Sequence, residues 1–139
     1  MEELERKTEE KMIQKKELRR KIKEKLSFIM HRNYGDFINY WNERKSYKGL
    51  TYGAVQYPSL YMGAGEQRII KFLETIYSIP DYSLILIDEL DLTLHTEALL
   101  RLMQVLNDEC NTRNIQIVFT SHREELLDCN FINIRHLVN

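Results

Sequence analysis

The sequence predicts an α/β domain built on a parallel sheet and preceded by a long helical arm. Three observations carry that prediction. Residues 2–30 contain no Gly or Pro and are dense in Glu, Lys, Arg and Leu, all strong helix formers. Two short apolar runs, "LILID" (84–88) and "IQIVFTSH" (115–122), each end in polar residues, as buried parallel strands do. Between them Leu99, Leu102, Met103 and Leu106 recur at helical spacing, so the order strand, helix, strand follows from periodicity.

The arm comes first. A heptad started at Leu4 puts Leu4, Thr8, Lys11, Lys15, Leu18, Ile22, Lys25 and Ile29 at its core positions. The apolar members gather at the C-terminal end. The first half therefore reads as solvated, and Leu18 to Ile29 as a face for a partner helix. Residues 31–62 follow, with Tyr34, Phe37, Tyr40, Trp41, Tyr47, Tyr52, Tyr57 and Tyr61 punctuated by Gly35, Gly49, Gly53 and Pro58. Short strands and turns are expected there. The aromatic side chains suit a core, or the stacking of nucleobases. After "MGAGEQ", Ile69, Leu73 and Ile76 mark a helix opening near Gly65. A helix over about 96–112, a short helix at "REELLD" and a third strand at "FINIRHLV" (131–138) complete the series.

Composition narrows the class. The 139 residues, 43% of them hydrophobic, suit one soluble domain with a modest core. The net charge of -1 gives no global bias toward nucleic acid. The charge is uneven, however: residues 1–50 carry 14 Lys+Arg against 9 Asp+Glu, and residues 51–139 carry 6 against 12. A basic arm joins an acidic body. The arm is read as a solvated helix, with direct DNA binding as the alternative. Cys110 and Cys129 lack metal-binding spacing and read as reduced thiols. No signal peptide or membrane-length apolar run is evident, so a cytoplasmic protein is expected.

The polar residues that end the strands carry the chemistry. Ligands of parallel α/β sheets sit at the carboxyl ends of the strands. Asp88 and Glu89 end the first apolar run. Carboxylates placed there are costly unless they meet a cation or donors, and Mg²⁺ is a natural partner for Asp88. Glu89 would then face the space where water attacks a phosphate, as a general base. The alternative is a strand end reaching solvent. His122 ends the next run, 33 residues after Glu89, where an imidazole could bond a terminal phosphate or orient water. Gly63 and Gly65 precede a helix whose positive N-terminal end favours an anion.

The order "MGAGEQ", "LILIDE", "DLTLH", "FTSH" resembles the second half of an ABC-type ATPase, within the SMC/RecF/OLD-like branch. The resemblance covers residues 61–122 and takes in the strand expected after them. It equates Met62 to Gln67 with the signature motif, Leu84 to Asp88 with Walker B and Glu89 with the catalytic glutamate. Leu92 to His95 match the D-loop, and His122 the switch histidine. It implies catalytic roles for Glu89 and His122, a metal-holding role for Asp88, and ATP contacts from Gly63, Ala64, Gly65, Glu66, Gln67 and His95. ATP and Mg²⁺ are the implied cofactors. Two departures stand out. Gly63 replaces the signature serine, and the chain contains no GxxxxGK[ST].

In that family the signature turn closes over ATP held by another P-loop. The resemblance therefore implies residues 1–33 as the returning strand of a coiled-coil-like helical arm, and residues 34–139 as the second lobe of a P-loop NTPase. The expected partner is a lobe or subunit carrying Walker A, in a homo- or hetero-dimer, with DNA as a further candidate and no membrane. ATP hydrolysis in bacterial (antiphage) defence or DNA transactions is the implied function. A non-catalytic scaffold with a degenerate ATPase lobe is the alternative.

Overall fold

The computed structural model describes residues 2–42, 45–52, 55–58, 63–90, 94–133 and 135, with side chains described outside 36–62. Two compact units divide the chain, Met1–Ser78 and Ile79–Asn139.

The first unit opens with helix α1 (Glu2–Met30). Its apolar residues cluster where the sequence placed them: residues 2–17 are all exposed, while Ile22, Leu26 and Ile29 are buried. The helix ends in a left-handed residue, His31 (φ 53°), and the Arg32 N–H reaches back to the Ser27 carbonyl at 3.1 Å. That bond occupies one of the carbonyls a helix end leaves over.

An antiparallel meander follows, β1 (Tyr34–Asn42), β2 (Lys45–Tyr52) and β3 (Val55–Pro58). Pairs such as Ile38↔Gly49 and Leu50↔Tyr57 set its register, and a shift lies between Tyr34 and Phe37. The short strands expected here are present. Tyr34 is buried, and the other aromatic side chains of 36–62 lie outside the described residues. Helix α2 (Ala64–Ser78) buries Ile69, Leu73 and Ile76, the predicted stripe. α1 packs against both α2 and β1.

The second unit is a strand–helix–strand crossover. β4 (Leu84–Ile87) and β5 (Gln116–Phe119) pair in parallel, with Leu86 opposite Val118 and Ile87 opposite Phe119. Helix α3 (Thr96–Arg113) joins them, burying Ala98, Leu99, Leu102, Met103, Val105 and Leu106. It ends at Asn114, left-handed at φ 53°, a conformation asparagine tolerates better than most residues. Arg113 ties the start of the unit to the helix end, donating to Asp81 at 2.8 Å and to the Ile79 carbonyl.

The strands differ from expectation in one respect. Both apolar runs predict strands buried on both faces. Ile87 is buried, yet Leu84, Leu86 and Val118 are 58%, 73% and 58% exposed. Side chains alternate across a strand, so these three share one face of the ribbon, and among the described residues that face lacks cover. The "REELLD" segment forms a 3₁₀ turn, Glu124–Asp128. The strand expected over 131–138 is not formed at 131–133, which are turn, bend and irregular chain, and most of the rest lies outside the described residues. Burial pushes the thiols of Cys110 and Cys129, both unbridged, above their ordinary range.

Candidate functional site

The parallel ladder continues past the ends of β4 and β5, and this extension builds the acidic end of the sheet. The Thr120 N–H donates to the Ile87 carbonyl at 3.1 Å, and the Leu90 N–H donates to the Thr120 carbonyl at 2.8 Å. Asp88 and Glu89 therefore sit directly opposite Thr120. The Thr120 hydroxyl donates to Asp88 Oδ1 at 2.8 Å and accepts from the Glu89 N–H at 2.8 Å. Glu89 itself is left-handed, φ 52°. For a residue with a Cβ that conformation costs about 1–3 kcal/mol, and it persists only where the surroundings enforce it. Both acids are exposed at the carboxyl end of the sheet, as the sequence places them. Thr120 was not among the expected site residues.

His122 is exposed on the loop after β5, with its neighbours pinned on either side. Thr120 is held as described, and the Arg123 N–H donates to Ser121 Oγ at 3.0 Å. The Arg123 guanidinium reaches the Leu94 carbonyl at 2.9 Å, Thr96 Oγ1 at 3.4 Å and Glu125 Oε1 at 2.9 Å. Thr96 Oγ1 also donates to Glu125 Oε1 at 2.9 Å. One arginine thus ties the loop of His122 to the entry of α3, where His95 is the N-cap residue and exposed. Residues 92 and 93 of the expected D-loop, and Asp91 before them, lie outside the described residues.

The hydrogen bond from Arg123, its largest cause, lowers the Glu125 carboxyl from 4.5 to about 2. A carboxyl depressed on folding stabilises the fold above its ordinary titration range. That contribution declines as pH falls below about 4.5 and is gone below the folded value. The thermal midpoint of the wild type should therefore fall toward that of Glu125→Gln between pH 5 and pH 2. Parallel midpoint curves for the two proteins would show that the pair contributes nothing.

The glycine turn lies in the first unit. Gly63 caps α2, for the first intrahelical bond runs from the Gln67 N–H to the Gly63 carbonyl at 3.1 Å. The amides of Ala64, Gly65 and Glu66 precede that bond, and they form the positive end of the helix. Ala64 and Gln67 are exposed, and Gly65 is buried. Among the described residues a Cβ at Gly63 would meet only Glu66 Oε1, at an ordinary 3.7 Å, so they do not demand glycine where the expected signature motif has serine. Met62 lies outside the described residues.

Glu66 is placed differently from what a phosphate-facing residue suggests. Its side chain is 7% exposed, and Arg32 Nη1 donates to Oε1 at 3.2 Å. The Tyr34 hydroxyl donates to Oε2. Burial first, and the bond to Glu66 second, push the Tyr34 phenol well above its ordinary value. It therefore stays protonated, and a donor, through the neutral range. One sequence signal pointed this way: Glu66, Ile69, Leu73 and Ile76 fall on a single helical stripe.

Among the described residues no group of three or more His, Cys, Asp or Glu side chains gathers to hold a metal ion. Asp88 offers a hard oxygen donor at an exposed strand end. That suits a cation such as Mg²⁺, which keeps several waters and draws further ligands from phosphate.

A parallel strand–helix–strand unit with paired acids at its carboxyl end is compatible with the class of P-loop ATPase-like domains. A family model described as "AAA domain, putative AbiEii toxin, Type IV TA system" matches residues 3–128, and the chain belongs to that family. Nucleotide binding and ATPase-type function are the properties such membership implies. No curated protein matches the chain. Among the described residues, no helix is long and apolar enough to cross a membrane.

Proposed function

We propose that this chain supplies the hydrolytic half of a nucleotide site of the ABC type, in the SMC/RecF/OLD-like branch. A Walker A lobe, carried by another segment or by a second subunit, completes it. The observation that carries the reading is the Asp88–Glu89 pair, held at the end of a parallel strand by a residue two positions before His122. Asp88 would hold Mg²⁺, which when bound offsets charge on the phosphates. Glu89 takes a proton from the attacking water, and His122 orients that water or the terminal phosphate. By the same resemblance, the first amides of α2 would close over the terminal phosphate of a nucleotide held by the P-loop of a second subunit, with Gly63 and Gly65 allowing close approach. In this reading Glu66 anchors the turn through Arg32 and Tyr34, while the backbone around it and the neighbouring Gln67 face the nucleotide. His95 lies at the D-loop end, toward the second subunit. A soluble, cytoplasmic dimer acting in defence or DNA transactions is the setting that the resemblance implies.

Most nucleotide affinity in P-loop proteins comes from a lysine and a ring of amides around the phosphates. The 139 residues contain no GxxxxGK[ST] to supply them. Calorimetric titration of ATP and Mg²⁺ into this chain should show no tight one-to-one binding. Adding a Walker A lobe should restore Mg²⁺-dependent hydrolysis that is lost when its P-loop lysine is changed. Tight binding and steady turnover by the chain alone would overturn the half-site reading.

A further inference from the structure

We propose that Thr120 is a positioning residue for the acidic pair, its single hydroxyl fixing both the Asp88 carboxylate and the backbone turn that aims Glu89. The proposal rests on the reading of Asp88 and Glu89 given above.

A threonine hydroxyl has one proton to give and two lone pairs to accept with. Here the proton goes to Asp88 Oδ1 and a lone pair takes the Glu89 N–H, both at 2.8 Å. The main chain of Thr120 adds the bonds to the Ile87 carbonyl and from the Leu90 N–H. One residue of β5's end thereby grips four consecutive residues of the facing chain, 87 to 90. Glu89 is the strained member of that run, at φ 52°. The amides of Glu89 and Leu90 both terminate on Thr120, so the left-handed turn is fastened from one point. The hydroxyl also sets which way the Asp88 carboxylate is turned, as partners behind a metal ligand commonly do.

A purely structural role makes a different prediction. If Thr120 only ends a strand as a β-branched residue, valine, which has the same shape, would serve equally well. If the hydroxyl positions the acids, Thr120→Val should fail and Thr120→Ser should restore the wild-type behaviour.

The test uses the full chain and two readouts: Mn²⁺ affinity, followed by water-proton relaxation with Mg²⁺ as competitor, and exchange of the Glu89 amide, followed by NMR. Thr120→Val should weaken Mn²⁺ binding by about 10- to 100-fold, the range found when a partner behind a metal ligand is lost. It should also speed exchange of the Glu89 amide, with Thr120→Ser near the wild type in both. Unchanged Mn²⁺ affinity and unchanged Glu89 protection in Thr120→Val would overturn the proposal while leaving the reading of Asp88 intact. A wild type that does not bind Mn²⁺, or binds it no better than Asp88→Asn, would overturn the reading of Asp88 and the proposal with it. If Thr120→Val does not fold, the wild type decides alone: a Glu89 amide exchanging as fast as an unstructured one would overturn the proposal.

Discussion

Glu89→Gln should lower ATP turnover of the complemented site by about 10²- to 10⁴-fold, the usual worth of a positioned general base. Glutamine keeps the size and shape of the side chain but cannot take a proton from water. ATP binding should persist, and trapped ATP should hold the proposed dimer closed. The check is single-turnover hydrolysis alongside a sizing measurement with ATP and Mg²⁺. Wild-type turnover in the variant would remove Glu89 from the base role. The backbone makes the prediction sharper. Glu89 is left-handed and its amide is already engaged by Thr120, so the substitution alters the carboxylate without releasing the turn.

The second large effect concerns folding. Tyr34→Phe should destabilise the first unit by about 1–3 kcal/mol, because the buried Glu66 carboxylate loses a donor that water cannot readily replace. Arg32→Ala should cost less, about 1 kcal/mol at most, since Arg32 is 46% exposed and its ion pair is partly solvated. Chemical denaturation of both variants measures the difference. Equal midpoints for Tyr34→Phe and the wild type would show that the phenol contributes no net stability. Because Glu66 belongs to the first turn of α2, the same bond steadies the backbone around Gly63 and Gly65.

Much of the fold was legible because its signals are local. The absence of Gly and Pro over residues 2–30 and the apolar spacing of Ile69, Leu73 and Ile76 placed α1 and α2, and α3 was placed in the same way. The runs "LILI" and "QIVF" placed two parallel strands, and with them the acids and the histidine at the sheet's carboxyl end. What escaped depends on pairs distant in sequence. Arg32 and Glu66 are 34 residues apart, and Asp88 and Thr120 are 32 apart. Spacing cannot announce such partners, because the fold alone brings them together. Thr120 was hidden by its type, since a β-branched residue ending a strand reads as strand. The exposure of Leu84 and Leu86 escaped for a related reason: composition records that a strand is apolar, whereas its cover is decided by what packs on each face.

Helix α1 has an uneven hold along its length. It has 29 residues, about 43 Å at roughly 1.5 Å per residue, yet its buried side chains begin only at Ile22. Before that, the helix rests on intrinsic propensity and surface ion pairs such as Glu3–Lys7 at 2.8 Å, each worth about 0.3–0.5 kcal/mol. Opening is therefore graded along one continuous rod. Amides near Ile22 to Ile29 exchange with solvent only when the packing on α2 and β1 gives way, whereas those of the exposed stretch 2–17 exchange by local opening that breaks no tertiary packing. The helix behaves as a stiff root continuous with a softer stretch, and a protease that cuts at Lys and Arg would cut within residues 2–17 before it cut the root.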